Sequence, residues 1–271
     1  GKQQYQDHKY LKAIESFQSI VFNHPGAAVV DSAQYYLGLS YFGNKEYALA
    51  GVEFNRLLLN YPSSAYAENA QFMKAVCFFE GTPRDYALDQ SELQKAIRQF
   101  EEFIIDHPDS DLLPDAQAYL NKAKERLARK YYEAGIVYKR LHAYKSAKIY
   151  FQKVVDDFTN TPYGALATYE IADAAFKMHK YDEAARLFAN FAVVFPKHEK
   201  VAEARRHEVE AAFRAAKVAY DNGKYSDAAS RFEKFLEKYP DSKKANDARK
   251  YLEKLKQELP VASSDESQSG S

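Results

Sequence analysis

The chain has 271 residues, 46% hydrophobic and 28% charged, and its 38 Lys plus Arg are balanced by 38 Asp plus Glu. That length can bury a substantial core, as one domain or as an array, while the zero net charge supplies no field toward DNA, RNA or an anionic membrane. Nucleic-acid binding is therefore excluded as an expectation, and with no Trp against 22 Tyr and 18 Phe the bulky packing falls to Tyr and Phe.

Lys2 to His8 reads as the remnant of a first helix. At Tyr10 a pattern begins, aromatic-x2-Ala-x3-Phe-x7-Pro, and it recurs along the whole chain: Tyr10/Ala13/Phe17/Pro25, Tyr47/Ala50/Phe54/Pro62, Leu93/Ala96/Phe100/Pro108, Tyr144/Ala147/Phe151, Tyr181/Ala184/Phe188/Pro196 and Tyr225/Ala228/Phe232/Pro240. The third copy puts Leu in the aromatic slot, and the fourth has Thr159 where Pro is expected. Residues at i, i+3 and i+7 share one helical face, a small Ala there lets another helix approach, and Pro ends the helix. Upstream of the second copy stands Leu37-Gly38-x2-Tyr41 and upstream of the fourth Ala134-Gly135-x2-Tyr138, each the close-packing segment of a preceding helix. Each unit is thus predicted to be a hairpin of a helix A and a helix B.

This pattern resembles the tetratricopeptide repeat in every slot except its usual Trp, held here by Gln34 in the second unit and Tyr131 in the fourth. The resemblance implies an all-α superhelix of five to six helix pairs, with A helices lining a concave groove. Two stretches lengthen the array. Residues 81–90, rich in turn formers, read as a polar insertion between the helices of the third unit, and the fourth A helix runs unbroken from about Pro114 to Arg140. Ser242 to Leu259 reads as a charged amphipathic capping helix, and the Ser-rich residues 260–271 as a disordered tail. The predicted division is 1–109 for the N-terminal repeats and 110–259 for the C-terminal ones.

No constellation for catalysis emerges, and neither a metal nor a cofactor is expected. His24 and His107 directly precede the helix-ending Pro, while His198 and His207 are too far apart for one metal-binding face. Cys77 sits in the apolar run Ala75-Val76-Cys77-Phe78-Phe79, as a small core hydrophobe would, and a single cysteine forms no internal disulfide. No stretch approaches the roughly 20 apolar residues needed to span a bilayer. Gly1 stands where a native start would have Met, so a trimmed N-terminus, and with it a missing targeting signal or lipid anchor, is expected.

Aligned on the small residues Gly38, Ala75, Gly135, Ala172 and Ala216, the A helices share two further columns. Three residues earlier stand Tyr35, Phe72, Tyr132, Tyr169 and Phe213; four residues later stand Phe42, Phe79, Lys139, Phe176 and Tyr220. Facing a groove, such rings would suit a peptide with apolar anchors; the competing reading is that they pack between neighbouring repeats. The same slots hold no carboxylate clamp of the co-chaperone type. A basic cluster, Lys197, His198, Lys200, Arg205 and Arg206, opens the last A helix, either as a solvated helix end or as a docking patch for an acidic partner.

With its number of helix pairs, the Asp85-Tyr-Ala-Leu-Asp-Gln90 insertion and the Arg126-Leu-Ala-Arg-Lys-Tyr-Tyr132 run inside the long helix, the whole chain resembles the BamD family, the lipoprotein subunit of the outer-membrane β-barrel assembly machine. The resemblance implies a non-enzymatic scaffold, lipid-anchored at the periplasmic face of the outer membrane, with companion lipoproteins as further partners. It implies that Tyr35, Phe42, Phe72 and Phe79 of the N-terminal repeats hold segments of unfolded barrel substrates. Tyr169, Phe176, Arg205 and Arg206 would then dock the POTRA region of the barrel subunit. The alternatives are a periplasmic repeat protein associated with the Tol-Pal system, which the mid-unit insertion disfavours, and the regulatory repeat domain of a larger protein.

Overall fold

The computed structural model describes residues 1–24 and 27–258, so the repeat's Pro25 and the tail expected at 260–271 lie outside the described residues. Among those described there is no strand, and the helices are α1 (Lys2–Gln6), α2 (Tyr10–Asn23), α3 (Val30–Gly43), α4 (Tyr47–Asn60), α5 (Ala67–Glu80), α6 (Ser91–Asp106), α7 (Leu113–Arg140), α8 (Tyr144–Phe158), α9 (Pro162–Lys177), α10 (Tyr181–Val194), α11 (Val201–Asp221), α12 (Tyr225–Lys238) and α13 (Ala245–Glu258). They pack in sequence order as six pairs followed by α13, the all-helical repeat array that the motif spacing predicts. Two compact units result, Gly1–Lys130 and Tyr131–Ser271, and the boundary falls inside the 28-residue α7.

The repeat motif supplies the core of both units. Its alanines, Ala13, Ala50, Ala96, Ala147, Ala184 and Ala228, are all fully buried, and so are Phe54, Phe100, Phe151, Phe188 and Phe232. Removing each such phenyl from water contributes roughly 2–3 kcal/mol, which is why one residue per repeat can specify where helix B docks. The small residue of helix A is dictated by that ring. A Cβ added at Gly38 would stand 2.7 Å from the Phe54 ring, and one at Gly135 would stand 2.5 Å from the Phe151 ring. In these two repeats helix A and helix B are held so close that one methyl group would have to displace an aromatic core residue, whereas the others accommodate Ala75, Ala172 and Ala216 in the same slot.

The A-to-B turn is also repeated. Two residues before the motif Tyr the backbone enters the left-handed region, at His8, Lys45, His142, His179 and Gly223, with φ between 58° and 70°. Histidine fills three of these positions for a reason the sequence pattern did not expose: the Nδ1 atoms of His8, His142 and His179 lie 2.7, 2.8 and 2.7 Å from the hydroxyls of Tyr10, Tyr144 and Tyr181. These bonds tie the turn to the first residue of helix B and offset part of the cost of a left-handed non-glycine residue.

Candidate functional site

The first ring column is built into the joints between helices. Tyr35, Phe72, Tyr132, Tyr169 and Phe213 lie 5.7, 6.1, 5.6, 5.5 and 5.8 Å, centroid to centroid, from the motif phenylalanines Phe54, Phe100, Phe151, Phe188 and Phe232 of their own repeats. Each also meets a ring from the next helix in line or, for Tyr35, from the residue that caps it: Tyr66, Tyr119, Tyr163, His207 and Tyr251. Phe72, Tyr169 and Phe213 are buried as a result. Tyr35 is half-buried, and burial pushes its hydroxyl up to about 12, as it does for Tyr132.

The second column is more open. Phe42 is half-buried, with Tyr47 against its edge at 5.2 Å, and Phe176 is half-buried between Tyr181 and His207 with the Arg214 guanidinium over its face at 5.0 Å. Phe79 is closed off by Tyr119 at 5.3 Å and by Arg126 at 5.1 Å. Of the four rings expected to receive a peptide, the structure thus leaves Tyr35 and Phe42 partly accessible and places Phe72 and Phe79 inside the packing that holds them. Of the four residues expected to dock a partner, Tyr169 is buried, Phe176 is partly open, and Arg205 and Arg206 are exposed on α11 with no ion pair among the described residues. The rest of the basic cluster is drawn into packing: Lys200 lies over the Tyr169 ring at 4.4 Å and pairs with Glu203, and His198 lies edge-on to Phe191 at 5.4 Å.

Where the column breaks, the chemistry changes. Lys139 occupies a ring slot, and its ammonium reaches Glu170 and, at 2.7 Å, Asp173, two carboxylates that are themselves nearly buried. Burial by itself would depress the Lys139 ammonium, but the hydrogen bonds and charges of the two carboxylates outweigh it and raise its pKa. The signal in the sequence was the one charged residue in a column of rings. The acidic pair one helix later could be recognised only with the register in hand.

The insertion is ordered by the long helix. The Arg126 guanidinium donates to the carbonyl oxygens of Thr82 (3.3 Å) and Pro83 (2.6 Å), Arg129 lies over the Tyr86 ring at 4.9 Å, and the Gln90 amide donates to the carbonyls of Pro83 and Asp85. The run that resembles the family therefore holds the insertion that resembles it, with Leu88 left exposed at the surface.

No group of three His, Cys, Asp or Glu side chains among the described residues is arranged to hold a metal, and no described helix is long and apolar enough to cross a membrane. Cys77 is buried, and burial pushes its thiol up to about 12, far from a reactive thiolate. The arrangement offers surfaces and grooves that can hold polypeptide.

Comparison with known proteins gives one family. The model of the YfiO family, described as an outer membrane lipoprotein, matches residues 1–167 and 131–264. A curated relative, the outer membrane protein assembly factor BamD of Rickettsia prowazekii (strain Madrid E), is 24% identical over 198 residues, which are 73% of this chain and 78% of the relative. Among solved structures, the TPR2AB domain of yeast Sti1 in complex with an HSP90 peptide aligns over 94% of this chain and 95% of its own at 14% identity and a TM-score of 0.43. A tetratricopeptide repeat protein from Parabacteroides merdae aligns over the same shares at 15% identity and a TM-score of 0.33.

Proposed function

Because the chain belongs to the YfiO family of outer membrane lipoproteins, we propose that it is a scaffold of outer-membrane protein assembly that works by holding other polypeptides, with no bond made or broken. The observation that carries this reading is that the family match runs through both units rather than one isolated repeat, and that the relative it brings in is named an outer membrane protein assembly factor. A plain repeat motif would support holding in general; the match extending across the insertion and the long helix supports this holding in particular.

Within it, the N-terminal repeats, residues 1–109, receive a segment of an unfolded barrel substrate, and the C-terminal repeats, residues 110–259, dock the POTRA region of the barrel subunit. Tyr35 and Phe42 give the substrate segment its apolar contacts, since each keeps part of its ring open, while Phe72 and Phe79 hold the helices that present them. Phe176, with part of its ring open, and the exposed Arg205 and Arg206 meet the partner subunit, while the buried Tyr169 holds the helices that present them. The protein works at the periplasmic face of the outer membrane through a lipid anchor.

The test uses the two ends separately. Replacing Tyr35 and Phe42 together with Ala is expected to weaken, by about tenfold in a fluorescence titration, the binding of a peptide ending like an outer-membrane barrel strand. Unchanged affinity would remove the ring surface from the reading. A photo-crosslinker placed at Arg205 is expected to capture the POTRA region of the barrel subunit, and products only from the N-terminal repeats would reverse the two ends.

A further inference from the structure

Grooves of one construction occur in both units, each lying between two B helices with the intervening A helix as floor. One lies between α4 and α6 over α5, and its counterpart lies between α10 and α12 over α11; a further cavity runs along α8 beside Met178 and Lys180 of the turn before α10. Because the repeats are in register, their walls can be compared residue by residue: Ala48 corresponds to Asp182, Gly51 to Ala185, Lys74 to Ala215, Lys95 to Asp227 and Gln99 to Arg231.

In Tyr131–Ser271 ion pairs join neighbouring B helices. Lys148 of α8 reaches Glu183 of α10, and Arg231 of α12 reaches Asp182 of α10 at 2.6 Å while also holding Asp227 at 2.9 Å. In Gly1–Lys130 the bridging positions are Ala48 and Gln99, and the Gln99 amide turns to Glu102 on its own helix. No ion pair among the described residues joins its two walls, and its cavity is about 720 Å³. Its inner surface is apolar: Gly51, whose missing Cβ would stand 3.6 Å from that of Cys77, and Val52 on the α4 wall, with Cys77 and Phe78 on the α5 floor.

The charges on its rim are unbalanced. Arg56 is paired with Glu53 and Lys95 with Glu92, each at 2.8 Å. Arg98 and Lys74 make no ion pair among the described residues, and the Lys74 ammonium has only a 3.4 Å contact with the Asn55 side-chain oxygen. Lys74 is also half-buried, and that burial lowers its pKa against the pull of the more distant Glu102. A desolvated ammonium without a carboxylate is costly, and a carboxylate brought into the groove removes the cost.

We propose that the groove between α4 and α6 is a docking site for an acidic amphipathic helix of a partner protein, which lays an apolar side chain over Gly51, Val52 and Cys77 and a carboxylate between Lys74 and Arg98. Charge complementarity selects the acidic partner. The shape selects a helix, because the cleft runs along Tyr47 to Arg56 on one wall and Glu92 to Gln99 on the other, roughly 12 Å of length that a lone anion would leave empty. The homologous groove between α10 and α12 carries Asp182 and Asp227, both paired with Arg231, where this one has Ala48 and Lys95.

The proposal is independent of the assembly reading, since Tyr35 and Phe42 do not line this groove. The probe is a fluorescein-labelled peptide of about 18 residues with Leu on one helical face and Glu elsewhere, beside a twin with Lys for every Glu. The full chain is expected to bind the acidic peptide at least about tenfold more tightly than the basic one, with affinity falling as salt rises. Copying the bridge of the second unit into the first with Ala48→Asp and Gln99→Arg is expected to remove that preference. Lys74→Gln with Arg98→Gln, which leaves the groove open, serves as a second variant whose fold is at little risk and is expected to do the same. Equal binding of the two peptides, or acidic-peptide binding that both variants retain, overturns the proposal.

Discussion

The two units share a core and differ in what fills the slots around it. In both, the motif Ala and Phe are buried and a ring from helix A joins its own helix B to the next helix. In Gly1–Lys130 the second column holds Phe42 and Phe79, and no ion pair among the described residues joins α4 to α6 across their groove. In Tyr131–Ser271 the same column starts with Lys139 and its two carboxylates, and neighbouring B helices are joined by Lys148–Glu183 and Arg231–Asp182. The difference teaches that the repeat fixes the frame through very few residues, so neighbouring slots can be tuned toward self-satisfied charge in one unit and available surface in the other.

The largest effect should come from the frame itself. Phe54→Ala and Phe188→Ala delete corresponding, fully buried rings, one in each unit, and each is expected to cost about 3–5 kcal/mol. Repeat arrays gain stability from nearest-neighbour contacts, so each loss should appear mainly in its own unit. Hydrogen exchange resolved by peptide checks this: Phe54→Ala should cut protection in α3 to α5 and Phe188→Ala in α9 to α11. Equal loss throughout the chain for either variant would dissolve the distinction between two units.

How far the sequence carries can be seen in particular residues. The six motif copies place every B helix, and the long A helix from about Pro114 to Arg140 matches α7, because a fixed spacing of Ala and Phe leaves one helical face to bury. The insertion at 81–90 is likewise the segment between α5 and α6. What spacing could not say is whether a ring faces solvent or its neighbours. Phe72 and Tyr169 look the same in the column as Tyr35, yet they are buried because Phe103 and Phe191 come up beneath them from helix B. Histidines 8, 142 and 179 share a backbone angle and a bond to the second residue on, neither of which belongs to hydrophobic periodicity. Pairs such as Arg231 with Asp182 join residues 49 apart and needed the stacking of repeats to be recognised.

An intermediate effect separates the units by pH. The Tyr169 hydroxyl, the Lys200 charge and, for Glu183, the Lys148 ammonium hold Glu203 and Glu183 below the ordinary glutamate value of 4.5. A carboxylate whose folded pKa is depressed contributes stability that is present above its unfolded value and is lost as pH falls through the folded one. Both residues belong to Tyr131–Ser271. In the other unit the resolved carboxylate shifts, at Asp7 and Asp89, are on fully exposed groups. Below about pH 4.5, hydrogen-exchange protection should therefore fall first around α8 to α11, and Glu183→Gln should flatten that pH dependence while leaving α3 to α6 unchanged. Acid loss that begins in α3 to α6 would contradict the view that the second unit is the one relying on internal charge pairs.

The smallest effect tests the turn that both units share. Lys45 holds a left-handed backbone at φ 62° as His8, His142 and His179 do, but the structure gives its side chain no bond to Tyr47. The histidine turns recover part of the strain through the tyrosine hydroxyl; this one recovers none. Gly223 shows the relaxed solution at φ 70°, with open space where a Cβ would be. Lys45→Gly is therefore expected to stabilise the protein by about 0.5–1 kcal/mol, and His179→Gly by less than that or not at all, because it gives up a 2.7 Å hydrogen bond together with the strain. Thermal melts of the two variants decide the point: a Lys45→Gly variant no more stable than the parent would mean that the turn is held without strain, and an equal gain for His179→Gly would mean that the histidine–tyrosine bond adds nothing to it.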